Sequence, residues 1–275
     1  MHQLRVARLF ALVAAVAGAL SFSAMRVQAM QSLTVLYAGS LVTPMEGPIK
    51  SALQARGVDF QGEPGGSKEL ANFILAGIRS PDVFISVDPK LVGKLGPRVM
   101  TATTFGGTSL GIAWPPHSRF AALFDSVVAG QTTLQQALQR QELRLGRTDP
   151  RLDPKGAYTV QGVTMWLGID GERRLLGDDE NPSQIFPEQD LLARVETGQV
   201  DAGFFYRTEA IARGWHFVPL PGAAALTDRI TYTLAVMKDA PHPQTARDFA
   251  EFILRGDGRP ILERAGITYL HEVSP

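Results

Sequence analysis

Cysteine is missing altogether from this 275-residue chain. No disulfide can staple it and no cysteine is available to carry a lipid, so its stability must come from its core. An excess of either charge is missing too. The 27 basic residues face 27 acidic ones, which leaves no electrostatic footprint for nucleic acid or a membrane surface as partner. Beyond the first thirty residues, no apolar run approaches the roughly 20 residues that a bilayer-spanning helix needs. A Walker loop and GxGxxG are both absent. The five histidines, His2, His117, His216, His242 and His271, show no metal-ligand spacing, and none is an evident base for a serine nucleophile. An exported enzyme therefore stays open as an alternative. There is no repeat of fixed period and no low-complexity tract.

What is present begins with residues 1–29. Arg5 and Arg8 precede an apolar run over residues 9–22, and Val27-Gln28-Ala29 closes it with a small-x-small pattern. That is the anatomy of a cleaved secretory signal peptide; an uncleaved anchor is the alternative. Its removal takes Arg5, Arg8 and Arg26 with it and leaves 24 basic against 27 acidic residues, a net charge of about −3. The expected product is a periplasmic monomer of 246 residues starting at Met30, long enough for two lobes.

Along the mature chain, short runs rich in Val, Ile and Phe alternate with helical patterns. Strands are expected over residues 32–39, 58–66 (the last part a loop) and 81–88, with helices over 47–57, 67–78 and 89–96 between and after them. A new unit opens near residue 103. Helices are expected over 120–130, 133–141, 156–169 and 187–199, strands over 143–149, 200–208 and 230–240, and a final helix over 243–256. Such alternation predicts an α/β fold with mostly parallel sheets. Two lobes are expected, one from residues 30–107 plus 223–275 and one from residues 108–222. The chain would cross twice between them, near Thr108 and Thr227, as a two-strand hinge.

Two stretches repeat one device: "LYAGSL" around Ser40 and "PGGSKEL" around Ser67 each put Gly-Ser where a strand hands over to a helix. In an open sheet, ligands sit beyond the carboxyl ends of the strands. A helix N-terminus there offers unpaired N–H groups and partial positive charge, and a serine hydroxyl adds a donor. Two facing corners would make an oxyanion cup that needs no lysine or arginine. The plain alternative is that each serine caps its helix and does nothing else. Ser86, at the end of the third strand, could join the cup.

"LYAGSL", "PGGSKEL" and "PDVFISVDPKL", followed in order by "LRLGRTDPRLDPKGAYTV", "PEQDLLARVETGQVDAGFFYRTEAIARG" and "FVPLP", resemble the periplasmic molybdate/tungstate-binding proteins of ABC importers, closest to the tungstate-type branch. The resemblance implies a bilobal type II periplasmic binding-protein fold with two mixed-sheet lobes and the anion held between them. It implies a membrane permease as partner, no cofactor, no catalysis, and molybdate or tungstate as ligand. Carried over residue by residue, the ligand-binding set is Ser40, Ser67, Asp153, Glu188 and Tyr206. Asp153 and Glu188 would coordinate the Mo or W centre, with Asp149 competing for the role of Asp153. Arg147 and Arg207 are expected to be structural or rim residues. The chain departs from the pattern after Pro154, where the family often has Cys-Gly-Tyr-Arg and here the sequence is Lys155-Gly156-Ala157-Tyr158.

The two carboxylates are what would discriminate. Beside a tetrahedral dianion they repel, the more so as water leaves. Sulfate and phosphate cannot relieve this, because their central atoms do not expand their shell. Mo(VI) and W(VI) can take two more hard oxygen donors. Without that coordination, Asp153 is an ordinary turn residue before proline, and Glu188 an ordinary acid in the first turn of a helix. A sulfate or phosphate binder of the same architecture is the runner-up reading.

Overall fold

The first sheet begins with β1 (Gln31–Ala38), in which Leu33, Val35, Leu36, Tyr37 and Ala38 are at most 2% exposed. A strand apolar on both faces must be covered on both faces, which is the mark of a sheet with helices on either side. The computed structural model describes residues 30–178 and 181–270; the expected signal segment lies outside the described residues. Beside β1, in parallel, lie β2 (Val58–Gly65) and β3 (Val83–Ser86). β4 (Val99–Gly107), β9 (Thr231–Met237) and β10 (Thr268–Tyr269) complete six strands in the order β10-β4-β9-β3-β1-β2. A second sheet, in the order β6-β7-β5-β8, takes β5 (Leu110–Trp114), β6 (Leu145–Gly146), β7 (Ala202–Tyr206) and β8 (His216–Pro219).

Both sheets are mixed, not mostly parallel. In the first, β9 runs antiparallel between β3 and β4, and β10 antiparallel to β4. In the second, only β6 and β7 are parallel. The reason is β9. Its seven residues are all buried, and it reaches the first sheet only after the chain has built the second.

Several elements differ from expectation. β6 holds two residues instead of a full strand, because Arg147 leaves the ladder to bridge Ile185. The Pro154–Leu176 helix runs longer than expected, with a break at Gly168 (φ 71°, ψ 175°), a conformation that favours glycine. A helix at Arg207–Ala212 follows β7, and another at Gly258–Arg264 follows the Pro243–Leu254 helix that was expected to be last.

The chain passes between sheets twice. Thr108 and Ser109 join β4 to β5, and the stretch after β8 returns to β9. The crossings touch: the Thr108 N–H donates to Ile230 O at 3.0 Å. A Cβ on Gly107 would lie 3.0 Å from Ile230 O and 3.1 Å from Thr227 O, so a side chain there would press the two backbones apart by a few tenths of an ångström.

Asp201, its side chain 2% exposed, anchors the entry to β7. It accepts from Arg119 Nε at 2.8 Å, Arg144 Nη2 at 2.7 Å and the Arg144 N–H at 2.8 Å. Burial alone would raise its pKa, but the bonds from Arg144 and Arg119 outweigh that and hold it at about 2. Asp201→Asn is expected to cost about 2–4 kcal/mol of stability in urea or thermal unfolding at neutral pH. A lowered native pKa contributes stability above the ordinary aspartate value and loses it as pH falls through the native one. The gap between wild type and variant should therefore narrow from about pH 4 to about pH 2.

Candidate ligand-binding site

The register of β1 on β2 pairs Ala38 with Gly65, so the two strands end level with each other. Just beyond, Ser40 lies in the single turn Gly39–Leu41 and Ser67 opens the Ser67–Leu75 helix. Neither hydroxyl caps its helix: the N-cap positions are Ala38 and Gly66, without a side-chain bond. Ser67 Oγ instead accepts from the Val87 N–H at 3.2 Å, which leaves its own proton to donate. Ser40 Oγ lies 2.9 Å from the hydroxyl of Tyr232, which in turn lies 3.4 Å from Thr208 Oγ1. Ser86 turns back on its own strand end. Its Oγ donates to Asp88 O at 2.8 Å and takes no part in the cup.

The other wall comes from the second lobe. Asp153 is the N-cap of the Pro154–Leu176 helix, and its Oδ1 accepts from the Lys155 N–H at 2.7 Å. Glu188 is the first residue of the Glu188–Glu196 helix, and Tyr206 is the last of β7. Ser40, Ser67, Asp153, Glu188 and Tyr206 all line one cavity of about 70 Å³ between the lobes. At roughly 10–15 Å³ for each water-sized group, such a space takes about five of them. Asp149 is not among the lining residues. Its Oδ2 accepts from Arg151 Nη2 at 2.9 Å. Arg147 is fully buried away from the cavity, where Nη2 donates to Asp178 O at 3.0 Å, and Arg207 is exposed.

Two lining residues went unforeseen, and one contradicts a cup without lysine: Lys155 and Glu209. Lys155, 2% exposed, places Nζ 2.7 Å from Glu209 Oε1 and 3.6 Å from Glu188 Oε1, with the Phe205 ring centroid 5.1 Å away. The other Glu209 oxygen accepts from the Tyr206 N–H at 2.7 Å. Glu209 is three residues past the strand end, the position from which an acid reaches back to a helix start. That signal was available to any reading that saw the Arg207–Ala212 helix. Lys155 announced itself only as the departure after Pro154.

The charges are strongly coupled. Burial pulls the Lys155 ammonium toward neutrality, but Glu209, Glu188 and Asp153 outweigh it and hold the proton more firmly than usual. Lys155 in turn keeps the Glu188 carboxyl below the ordinary range. Asp153 is shifted upward, by burial first and by Glu188 after it, against the pull of Lys155. Burial and then Glu188 push Glu209 up to about 7, again against Lys155. Tyr206 is the odd member. Its hydroxyl is buried and has no hydrogen-bond partner among the described residues. A buried donor without an acceptor is costly, and here it lines a cavity. Among the described residues no cluster of three His, Asp or Glu side chains could hold a bare metal ion.

A wider groove of about 650 Å³ shares Asp153 with this cavity and carries Lys68, Lys90, Lys94, Arg151 and Arg229 along with Asp88 and Asp228.

The description of bacterial extracellular solute-binding proteins matches residues 33–268 of the chain. The chain is 31% identical, over 72% of its length and 62% of the relative's, to a Haloferax volcanii protein provisionally named an ABC transporter molybdenum-binding protein. It is 23% identical to a molybdate/tungstate-binding protein of Thermococcus kodakarensis, over 84% of this chain and 80% of that one. Its fold matches the periplasmic molybdate-binding protein of Azotobacter vinelandii with a TM-score of 0.67 at 18% identity, covering 87% of this chain and 99% of the other. That likeness speaks for the fold alone, and the fold is the expected bilobal type II architecture.

The unpartnered hydroxyl makes one expectation that needs no ligand. Tyr206→Phe should leave the thermal stability of the empty protein unchanged or raise it by up to about 1 kcal/mol. A loss above about 2 kcal/mol would mean that the hydroxyl has a partner in the protein itself.

Proposed function

Since the chain belongs to the family of bacterial extracellular solute-binding proteins, we propose that its interlobe cavity captures molybdate or tungstate and delivers it to the permease of an ABC importer. In this reading, residues 30–107 with 223–275 form one jaw and residues 108–222 the other. The segment before Met30 directs export and is removed, and the product works in the periplasm as a monomer. It performs no chemistry on its ligand beyond reversible coordination.

The observation that carries this reading is the convergence of two kinds of group on one small cavity. Ser40, Ser67 and Tyr206 bring hydroxyls, and Asp153 and Glu188 bring carboxylates. Hydroxyls and strand-end N–H groups donate to the outer oxygens of any oxyanion. Carboxylates cannot. Fully ionised sulfate has no proton to offer them, and hydrogen phosphate has one proton for two carboxylates. Only a central atom that accepts further oxygen donors turns both from repulsive into binding groups. The pair thus selects by penalising anions that cannot accept it. Asp153 keeps one oxygen on the helix start as a cap, so capping and coordination use different oxygens of one side chain. Because the donors come from two lobes, the bound anion favours the closed arrangement by its differential contacts.

Titration calorimetry with tungstate, molybdate, sulfate and phosphate tests this. Tungstate and molybdate should bind tightly, and sulfate should give no comparable response. Tight sulfate binding with no tungstate signal would replace this reading with that of a general oxyanion carrier. Glu188→Gln should weaken tungstate binding at least tenfold, about 1.4 kcal/mol. An unchanged dissociation constant would remove Glu188 from the coordination shell.

A further inference from the structure

Lys155 is the single cationic side chain among the residues lining the small cavity, and the capture scheme above makes no use of it. We propose that Lys155 is a ligand-binding residue: a buried counter-charge, moored on Glu209, that faces the captured dianion and sets how tightly it is held, while Asp153 and Glu188 set which anion is held. The inference rests on the capture reading and adds to it a residue and a division of labour.

The mooring is unequal. Nζ lies 2.7 Å from Glu209 Oε1, a full hydrogen bond, but 3.6 Å from Glu188 Oε1, beyond one. The second Glu209 oxygen is committed to the Tyr206 N–H at 2.7 Å, so Glu209 has no oxygen left to turn toward a ligand. The rings of Phe205 and Tyr206, with centroids 5.1 Å and 5.8 Å from Nζ, hold the ammonium from the sides. Glu188 can therefore swing to a ligand while the ammonium stays in place.

Three carboxylates, Asp153, Glu188 and Glu209, line the cavity with this one ammonium. A dianion entering a water-poor cleft meets their full repulsion unless that ammonium is there. A point charge attracts every dianion alike, so it supplies affinity without selectivity.

The test is calorimetry with tungstate on wild type, Glu209→Gln and the double variant Lys155→Met/Glu209→Gln, each checked for folding by thermal melting without ligand. The double variant removes both members of the pair, so neither charge is stranded and the net charge of the wall is unchanged; what it loses is the ammonium facing the anion, since both Glu209 oxygens are committed elsewhere. It should bind at least tenfold more weakly. Glu209→Gln alone removes a negative charge, keeps the ammonium, and should bind several-fold more tightly. General damage to the cavity would weaken both, so the opposite signs isolate the role of the charge. A double variant within threefold of wild type, or a Glu209→Gln that loses as much as the double, overturns the inference. Should the double variant fail to fold, Lys155→Gln/Glu209→Gln, which keeps polar atoms at both positions, takes its place under the same criterion. A wild-type protein that binds no oxyanion would instead remove the capture reading on which all of this stands.

Discussion

Lys155 carries its charge where water scarcely reaches, and four segments of the second lobe meet on it. The Pro154–Leu176 helix supplies the lysine itself, with Asp153 capping the turn before it. The Arg207–Ala212 helix supplies Glu209, the Glu188–Glu196 helix supplies Glu188, and β7 ends at Tyr206, whose N–H is bound by Glu209. Burying charge is costly unless partners and hydrogen bonds satisfy it, and removing one partner costs more than the pair ever contributed. The arrangement of that wall therefore hangs on one ion pair. If it parts, the cap, the strand end and two helix starts lose a shared contact together.

The two walls of the cavity are built from different chemistry. The first lobe offers hydroxyls and backbone at two level strand ends, with no charged side chain of its own facing the cavity. The second offers carboxylates balanced on an ammonium. Neutral donors accept any oxyanion and hold it weakly; charged groups discriminate and hold it hard. Dividing these tasks between lobes means that neither face alone makes the full site.

Much of this was legible where the cause is local. The Gly-Ser corners of Ser40 and Ser67 lie at the junction of an apolar run and a helical period, and adjacent parallel strands bring them together without long-range information. Asp153 and Glu188 were placed on the cavity wall through the family resemblance and not through their spacing, since 34 residues of chain lie between them. What stayed hidden was non-local or brief. β9 enters the first sheet from the far end of the chain and reverses the expected parallel order. The six residues of the Arg207–Ala212 helix are too few to display a period, so no element was expected at Glu209. Lys155 was missed for a general reason: lysine is normally a surface residue, and only the carboxylates gathered by tertiary structure make its burial tolerable.

The bond between Thr108 N–H and Ile230 O ties the two crossings side by side. Two separate tethers would let the jaws slide, twist and splay independently. Two tethers fastened to each other behave as the spine of a book: the covers can swing about one line, and little else. In the proposed capture, such a spine would let the protein open and shut along a single path, with the serine wall meeting the carboxylate wall in the same alignment at every closure.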